Sequence, residues 1–296
     1  RHLKSNILAL IFSIFLFVGF HYLITHLISE IKNKKDYGQL ILERTKYFTY
    51  SPIATSILSV IPIIYFFFTG TSVTFLTFLI VVQICFTGLL IRKNYPSWIF
   101  LKWFFLFVII IFFSIINLYW EIAYQERFYL LVGGILTLYL VWDGLSNFQT
   151  DTAGEEKFLT WLSYVVIPLI AVGLLANVLG RFSLSKILII SGAIGYMHAI
   201  SLYFFVNVLM EAIYLVIENS KKESDSFTSL IDFKGIQDRL KGFLLLLAIL
   251  IWASVLLQNL ALDDLFIEKS GEFLAKERSL GDTTFTFGSI LLFEGM

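Results

Sequence analysis

Residue types that do chemistry are few and scattered in this 296-residue sequence. His21 and His26 stand in one apolar run. Paired imidazoles bind a metal or haem only when they converge on one point. Five residues at 3.6 per turn aim these two about 140° apart. Each is therefore expected near a membrane interface, bonded to neighbours or water, and no metal or cofactor is expected. His198 lies midway along the longest apolar run, beside Tyr196 and Ser201. An ionisable group inside a membrane is a functional suspect by default. No Asp or Glu occupies the centre of another clear span to complete a relay, so His198 is expected as a satisfied polar packing contact. Asp143, following Trp142, reads as a helix-end residue. The lone Cys85 excludes disulfides and cysteine-based zinc sites within the chain. A nucleophile elbow, phosphate loop, HExxH or paired-carboxylate signature does not occur. The chain does not read as an enzyme.

The elements around these residues are dominated by apolar length. The sequence is 58% hydrophobic, 17% aromatic and 15% charged, with mean hydropathy +0.82. Soluble domains carry about 25% charged residues, so lipid is the main solvent. Zero formal net charge gives no basic footprint for nucleic acid. Runs of spanning length occur at Asn6–Ile28, Pro52–Phe68, Ser72–Ile91, Trp98–Leu118, Phe128–Trp142, Phe158–Leu179, Leu184–Ile217 and Gly242–Leu262. The expectation is an all-α polytopic membrane protein with about eight transmembrane helices over residues 1–262. Gly133-Gly134 make the short fifth run the weakest helix. Leu184–Ile217 contains no proline or turn cluster, so it reads as one helix of about 50 Å against a hydrocarbon core of about 30 Å. Its end is expected to project into water, with Asn207, Glu211 and Glu218 on one face. Ser191, Gly195 and Ala199 recur every four residues on it, a small-residue face for close helix packing.

With eight spans, loops on one side carry fourteen Lys and Arg, against eight on the other side. The richer side is cytoplasmic by the positive-inside rule. Both chain ends are then periplasmic in a bacterial inner membrane. Tyr95, Trp98, Trp103, Tyr119, Trp120, Tyr139, Trp142, Trp161 and Trp252 fall mostly near span ends and read as interfacial anchors. Glu218–Lys241 reads as a cytoplasmic loop with a short surface helix. The spans are rich in Phe, Ile and Leu, without a polar stripe or charged ring to replace an ion's hydration.

After the last long run, residues 263–284 form a charged linker. Leu262, Phe266, Phe273 and Leu280 fall within about 40° on a helical wheel, with Lys269 and Lys276 bordering the stripe and able to snorkel. An interfacial, partly helical segment is expected. Residues 285–296 turn apolar again at Phe285, Phe287 and Gly288 and read as the start of a truncated further helix. Arg1 is not an initiator methionine, so the chain reads as beginning inside a longer protein.

The phrase KERSLGDTTFTFGSILLF, beginning at Lys276, resembles the approach to the pore helices in large, MscK-like members of the MscS-type mechanosensitive channel family. The resemblance implies three further helices and a β-rich vestibule downstream, with Phe285, Phe287 and Gly288 at the pore-helix approach. It also implies a homo-oligomer, a heptamer in that family, with membrane lipids as partners. Function is then expected as sensing membrane tension for a pore lying outside this chain. A membrane scaffold or accessory subunit and a secondary transporter remain as alternatives of different class.

Overall fold

The computed structural model describes residues 2–34, 38–67, 73–118, 124–147, 153–220, 230–262, 268–269, 278–280 and 283–285. Its helices are α1 (His2–Lys34), α2 (Gly38–Glu43), α3 (Pro52–Phe67), α4 (Val73–Asn94), α5 (Ser97–Leu118), α6 (Tyr124–Asn147), α7 (Ala153–Val178), α8 (Phe182–Ser220) and α9 (Leu230–Asn259). Two strands follow, β1 (Arg278–Leu280) and β2 (Thr283–Phe285). Every long apolar run is thus a helix, as lipid requires of backbone that cannot bond to water.

Six helical stretches among the described residues are long and apolar enough to cross a membrane: Leu10–Asn33, Phe75–Asn94, Ser97–Ile116, Lys157–Val178, Phe182–Ser220 and Arg239–Asn259. The chain is a helical, membrane-embedded protein. Two of the eight expected spans fall outside this set. The apolar part of α3, Pro52–Tyr65, is short for a bilayer that takes about 20 residues. The other is α6, which carries Glu126, Arg127 and Asp143.

Two compact units divide the chain, Arg1–Trp252 and Ala253–Met296. The first is built around α8. Every residue from Ile189 to Val206 is buried except the half-buried Ile200. α1, α3, α4, α5, α6 and α7 all pack against it. The outer helices turn large apolar side chains outward, such as Phe15, Phe105, Leu136, Leu175 and Leu250. α8 is unbroken over 39 residues. Its ideal length is about 58 Å, twice the hydrocarbon core.

Glycines set the closest approaches. The Gly133-Gly134 pair that weakens the fifth run in sequence does not break α6. A Cβ on Gly133 would lie 2.7 Å from Phe113 of α5, and one on Gly134 would lie 2.9 Å from Leu174 of α7. α7 turns into α8 through Gly180 at φ 77°, where a side chain would be strained.

The second unit corrects the linker expectation. β1 pairs antiparallel with β2, Leu280 opposite Thr283 and Arg278 opposite Phe285. Leu280, the last member of the expected helical stripe, therefore lies in a strand, as does Phe285, and residues 286–296 lie outside the described residues. The intervening Gly281-Asp282 is a pair that two-residue hairpins favour. The described chain is consequently not wholly α.

A methyl group at Gly173 would meet Ile189 at 2.8 Å and the Ile189 backbone nitrogen at 3.2 Å. Backbone cannot rotate aside, so Gly173→Ala should force α7 off α8 and cost about 1–3 kcal/mol. Thermal unfolding of the purified protein should show a lower midpoint than wild type, whereas Gly19→Ala, with open space around it, should not.

Candidate functional site

The expected packing residues Ser191, Gly195 and Ala199 are all buried on α8. Gly195 does more than permit approach. Its carbonyl accepts a buried hydrogen bond from the indole of Trp252 on α9 at 2.9 Å. Trp161 of α7 meets the same indole edge-on, with ring centroids 5.6 Å apart. Ala199 lines the small cleft these rings leave, together with Phe158 and Ala248. The tightest α7–α8 contact lies elsewhere, where Gly192 faces Ile170 and Gly173 faces Leu188 and Ile189. A four-residue spacing search on one helix passes over Gly173, because that glycine belongs to the partner.

Two tryptophans assigned to the membrane interface are corrected here. Trp103 is 6% exposed and Trp252 is 7% exposed, whereas Trp98, Trp142 and Trp161 are open to the surroundings. Trp103 donates to the Ile84 carbonyl of α4 at 3.3 Å. Both buried indoles are interhelical ties.

Charges tie α6 at both ends. Lys102 of α5 pairs with Asp143 of α6, and its ammonium lies 4.4 Å from the Trp98 ring. Asp143 is thus an ion-pair partner and not merely a helix-end residue. Toward the other end, Lys186 of α8 donates to the Ile116 carbonyl at 3.0 Å and sits 3.4 Å from Glu126. Arg127 donates to the Asn177 carbonyl of α7 at 2.9 Å. The least apolar of the long helices is therefore held by its polar residues to α5, α7 and α8.

The far end of α8 also departs from expectation. Glu211 is not directed freely into water. Both its carboxylate oxygens accept from the Tyr47 amide, at 3.1 and 3.0 Å. Asn219 donates to Glu30 of α1 at 2.8 Å. Between them the 44–51 segment, with Phe48 wholly buried, closes over α8. α2 fits beside α1 because Gly38 approaches the Ile31 carbonyl, which a Cβ would meet at 2.2 Å.

His21 and His26 have separate partners, Ser56 at 3.2 Å and Glu30 at 3.7 Å. His198 is a correction. It is wholly buried, and neither ring nitrogen has a hydrogen-bond partner among the described residues. Tyr65 of α3 stands edge-on to it and donates to Gln83 of α4; Thr55, Ser59, Thr87 and Ser201 are further buried polar residues on α3, α4 and α8. Buried polar side chains thus occur within α3, α4 and α8, a few on each helix.

A cavity of about 90 Å³ opens among α4, α5, α6, α7 and α8, with Tyr95, Trp98, Trp103, Tyr196, Tyr203 and Phe204 on its walls and Lys102 beside them. Its lining suits an apolar group. Among the described residues no three His, Cys, Asp or Glu side chains gather to hold a metal ion. Of the linker residues, Lys269 is exposed. Phe266, Phe273, Lys276, Phe287 and Gly288 lie outside the described residues.

Two stability measurements follow from these ties. Lys102→Leu and Asp143→Leu should each cost about 1–3 kcal/mol, because each strands a partly buried partner. The double variant should recover much of that loss. A double variant as unstable as the sum of the singles contradicts the pairing. Trp252→Phe should lower the unfolding midpoint by the equivalent of about 1 kcal/mol, and Trp142→Phe, at an exposed ring, by much less.

No family model, curated protein or solved structure matches this chain.

Proposed function

We propose that this chain is the tension-sensing membrane platform of an MscS-like mechanosensitive channel whose pore helices lie outside the sequence. One observation carries the proposal: a single helix, buried from Ile189 to Val206 except at half-buried Ile200, among helices that present apolar side chains outward. Such a bundle offers a large lipid-contacting perimeter around a fixed centre. Membrane tension favours whichever state occupies more area, and a perimeter joined to a pore biases gating only if the bilayer treats the two states differently. Within the bundle, the Trp252–Gly195 bond ties α9 to α8. In this reading the chain crosses a bacterial inner membrane eight times, α3 and α6 included, with both ends periplasmic. It works in a homo-oligomer.

A second reading draws on a different observation. The buried, unpartnered His198 and the polar seam around it are features that transporters place near the membrane midplane. The seam favours a secondary transporter over a passive scaffold as the runner-up.

Three experiments test these readings. Cysteines introduced at Ser224 and Ser270 in a Cys85→Ser background should label from the cytoplasm and the periplasm respectively; Ser224 labelled only from outside overturns the topology. Purified chain in a planar bilayer should pass no unitary current under tension, and reproducible tension-gated currents would place a pore within it. Solute uptake by proteoliposomes, abolished by His198→Phe, would transfer the assignment to the transporter.

A further inference from the structure

The least satisfied place in the bundle is the α3/α4/α8 interface. His198 has two bare ring nitrogens, and Gln83 of α4 a bare amide nitrogen, all buried. Tyr65 of α3 connects them. Its ring stands edge-on to His198, centroids 5.9 Å apart, and its hydroxyl donates to Gln83 Oε1 at 3.0 Å. Turning the Gln83 amide over exchanges a bare donor for a bare acceptor, but leaves one polar atom without a partner either way.

The buried hydroxyls of the three helices bond locally. Thr55, Ser59, Thr87 and Ser201 each donate to the carbonyl four residues earlier, at 2.8–2.9 Å. That spends their protons within their own helices and leaves their lone pairs as acceptors. A neutral imidazole carries one donor and one acceptor nitrogen, so His198 lacks a partner of each kind. No direct hydrogen bond joins His198 to any of these hydroxyls. Burying a polar group without a partner is unfavourable, and three such atoms lie on two residues that meet the same Tyr65.

We propose that the α3/α4/α8 interface is an internal hydration site, where water is bound by His198 and Gln83 in the membrane interior. Water is the ligand class that fits, since it donates and accepts in one small molecule. A cation is disfavoured because, among the described residues, no cluster of carboxylates or other metal-binding side chains gathers. An anion is disfavoured because no Lys or Arg belongs to the seam. Bound water gives the α3–α4 hairpin freedom that a directly bonded interface would not have: α4 and α8 can shift while each nitrogen exchanges one water contact for another.

Solid-state NMR on the full chain in lipid bilayers tests this directly. With His2, His21 and His26 replaced by Gln, His198 is the sole histidine, and its ring nitrogens can be labelled with ¹⁵N. Magnetisation should pass from water to the His198 ring, as it does to exposed His26 in the wild type. In Gln83→Leu the transfer should fall about twofold or more, because one of the two groups that hold the water is gone. A His198 ring that receives no more from water than the buried α8 backbone amides overturns the site, as does transfer unchanged by Gln83→Leu. Transfer that follows the Na⁺ or K⁺ concentration assigns the seam to a cation instead. Should Gln83→Leu fail to fold, the measurement with Gln83 intact still decides.

Discussion

A helix enclosed by other helices within a membrane gains no hydrophobic free energy from that enclosure, because lipid tails are as apolar as leucine. α8 is in that position over most of its spanning length. Whatever holds six helices against it must come from close packing and from hydrogen bonds that lipid cannot offer. Both are present. Gly173 and Gly192 bring α7 to within a methyl group of contact, and the buried indoles of Trp103 and Trp252 donate to backbone carbonyls across helix pairs. Individually such bonds contribute about 0.6 kcal/mol on average in a membrane bundle, so the assembly depends on their number and distribution.

That distribution is uneven. The side of α8 facing α6 and α7 is filled by Ile189, Leu188 and glycine contacts, with ion pairs at the ends of α6 through Lys102–Asp143 and Lys186–Glu126. Toward α3 and α4, His198 meets the Tyr65 ring, whose hydroxyl bonds to Gln83. Dispersion packing is rigid because it is lost over a fraction of an ångström. Polar contacts can exchange partners. The bundle thus combines a stiff half and a half with the chemistry to rearrange, joined by one continuous helix.

Much of this was legible in the residues, and the failures have physical causes. The continuity of α8 follows from 34 residues, Leu184–Ile217, without proline or a turn cluster. Gly133-Gly134 looked like a weak point because propensity describes an isolated helix; in the bundle they are contact faces for α5 and α7. Trp98 and Trp103 are five residues apart, about 140° around a helix, so they could not both face the interface. The hairpin of β1 and β2 was signalled by Gly281-Asp282 and obscured by the wheel pattern running through Leu280. The polar contact at His198 was not legible at all. Tyr65, Gln83 and His198 come together only when the packing of α3, α4 and α8 is known, and hydropathy along the chain averages each of them away.

The account stands on α8 being the protein-enclosed centre. Lipid-borne photoactivated carbene labelling of the full chain in liposomes, mapped by mass spectrometry, tests this without altering a residue. Adducts are predicted on the outward faces of α1, α5 and α9, at residues such as Phe15, Phe105 and Leu250, with none between Ile189 and Val206. Adducts along that part of α8 at the density found on α1 would contradict the enclosure and the platform built on it.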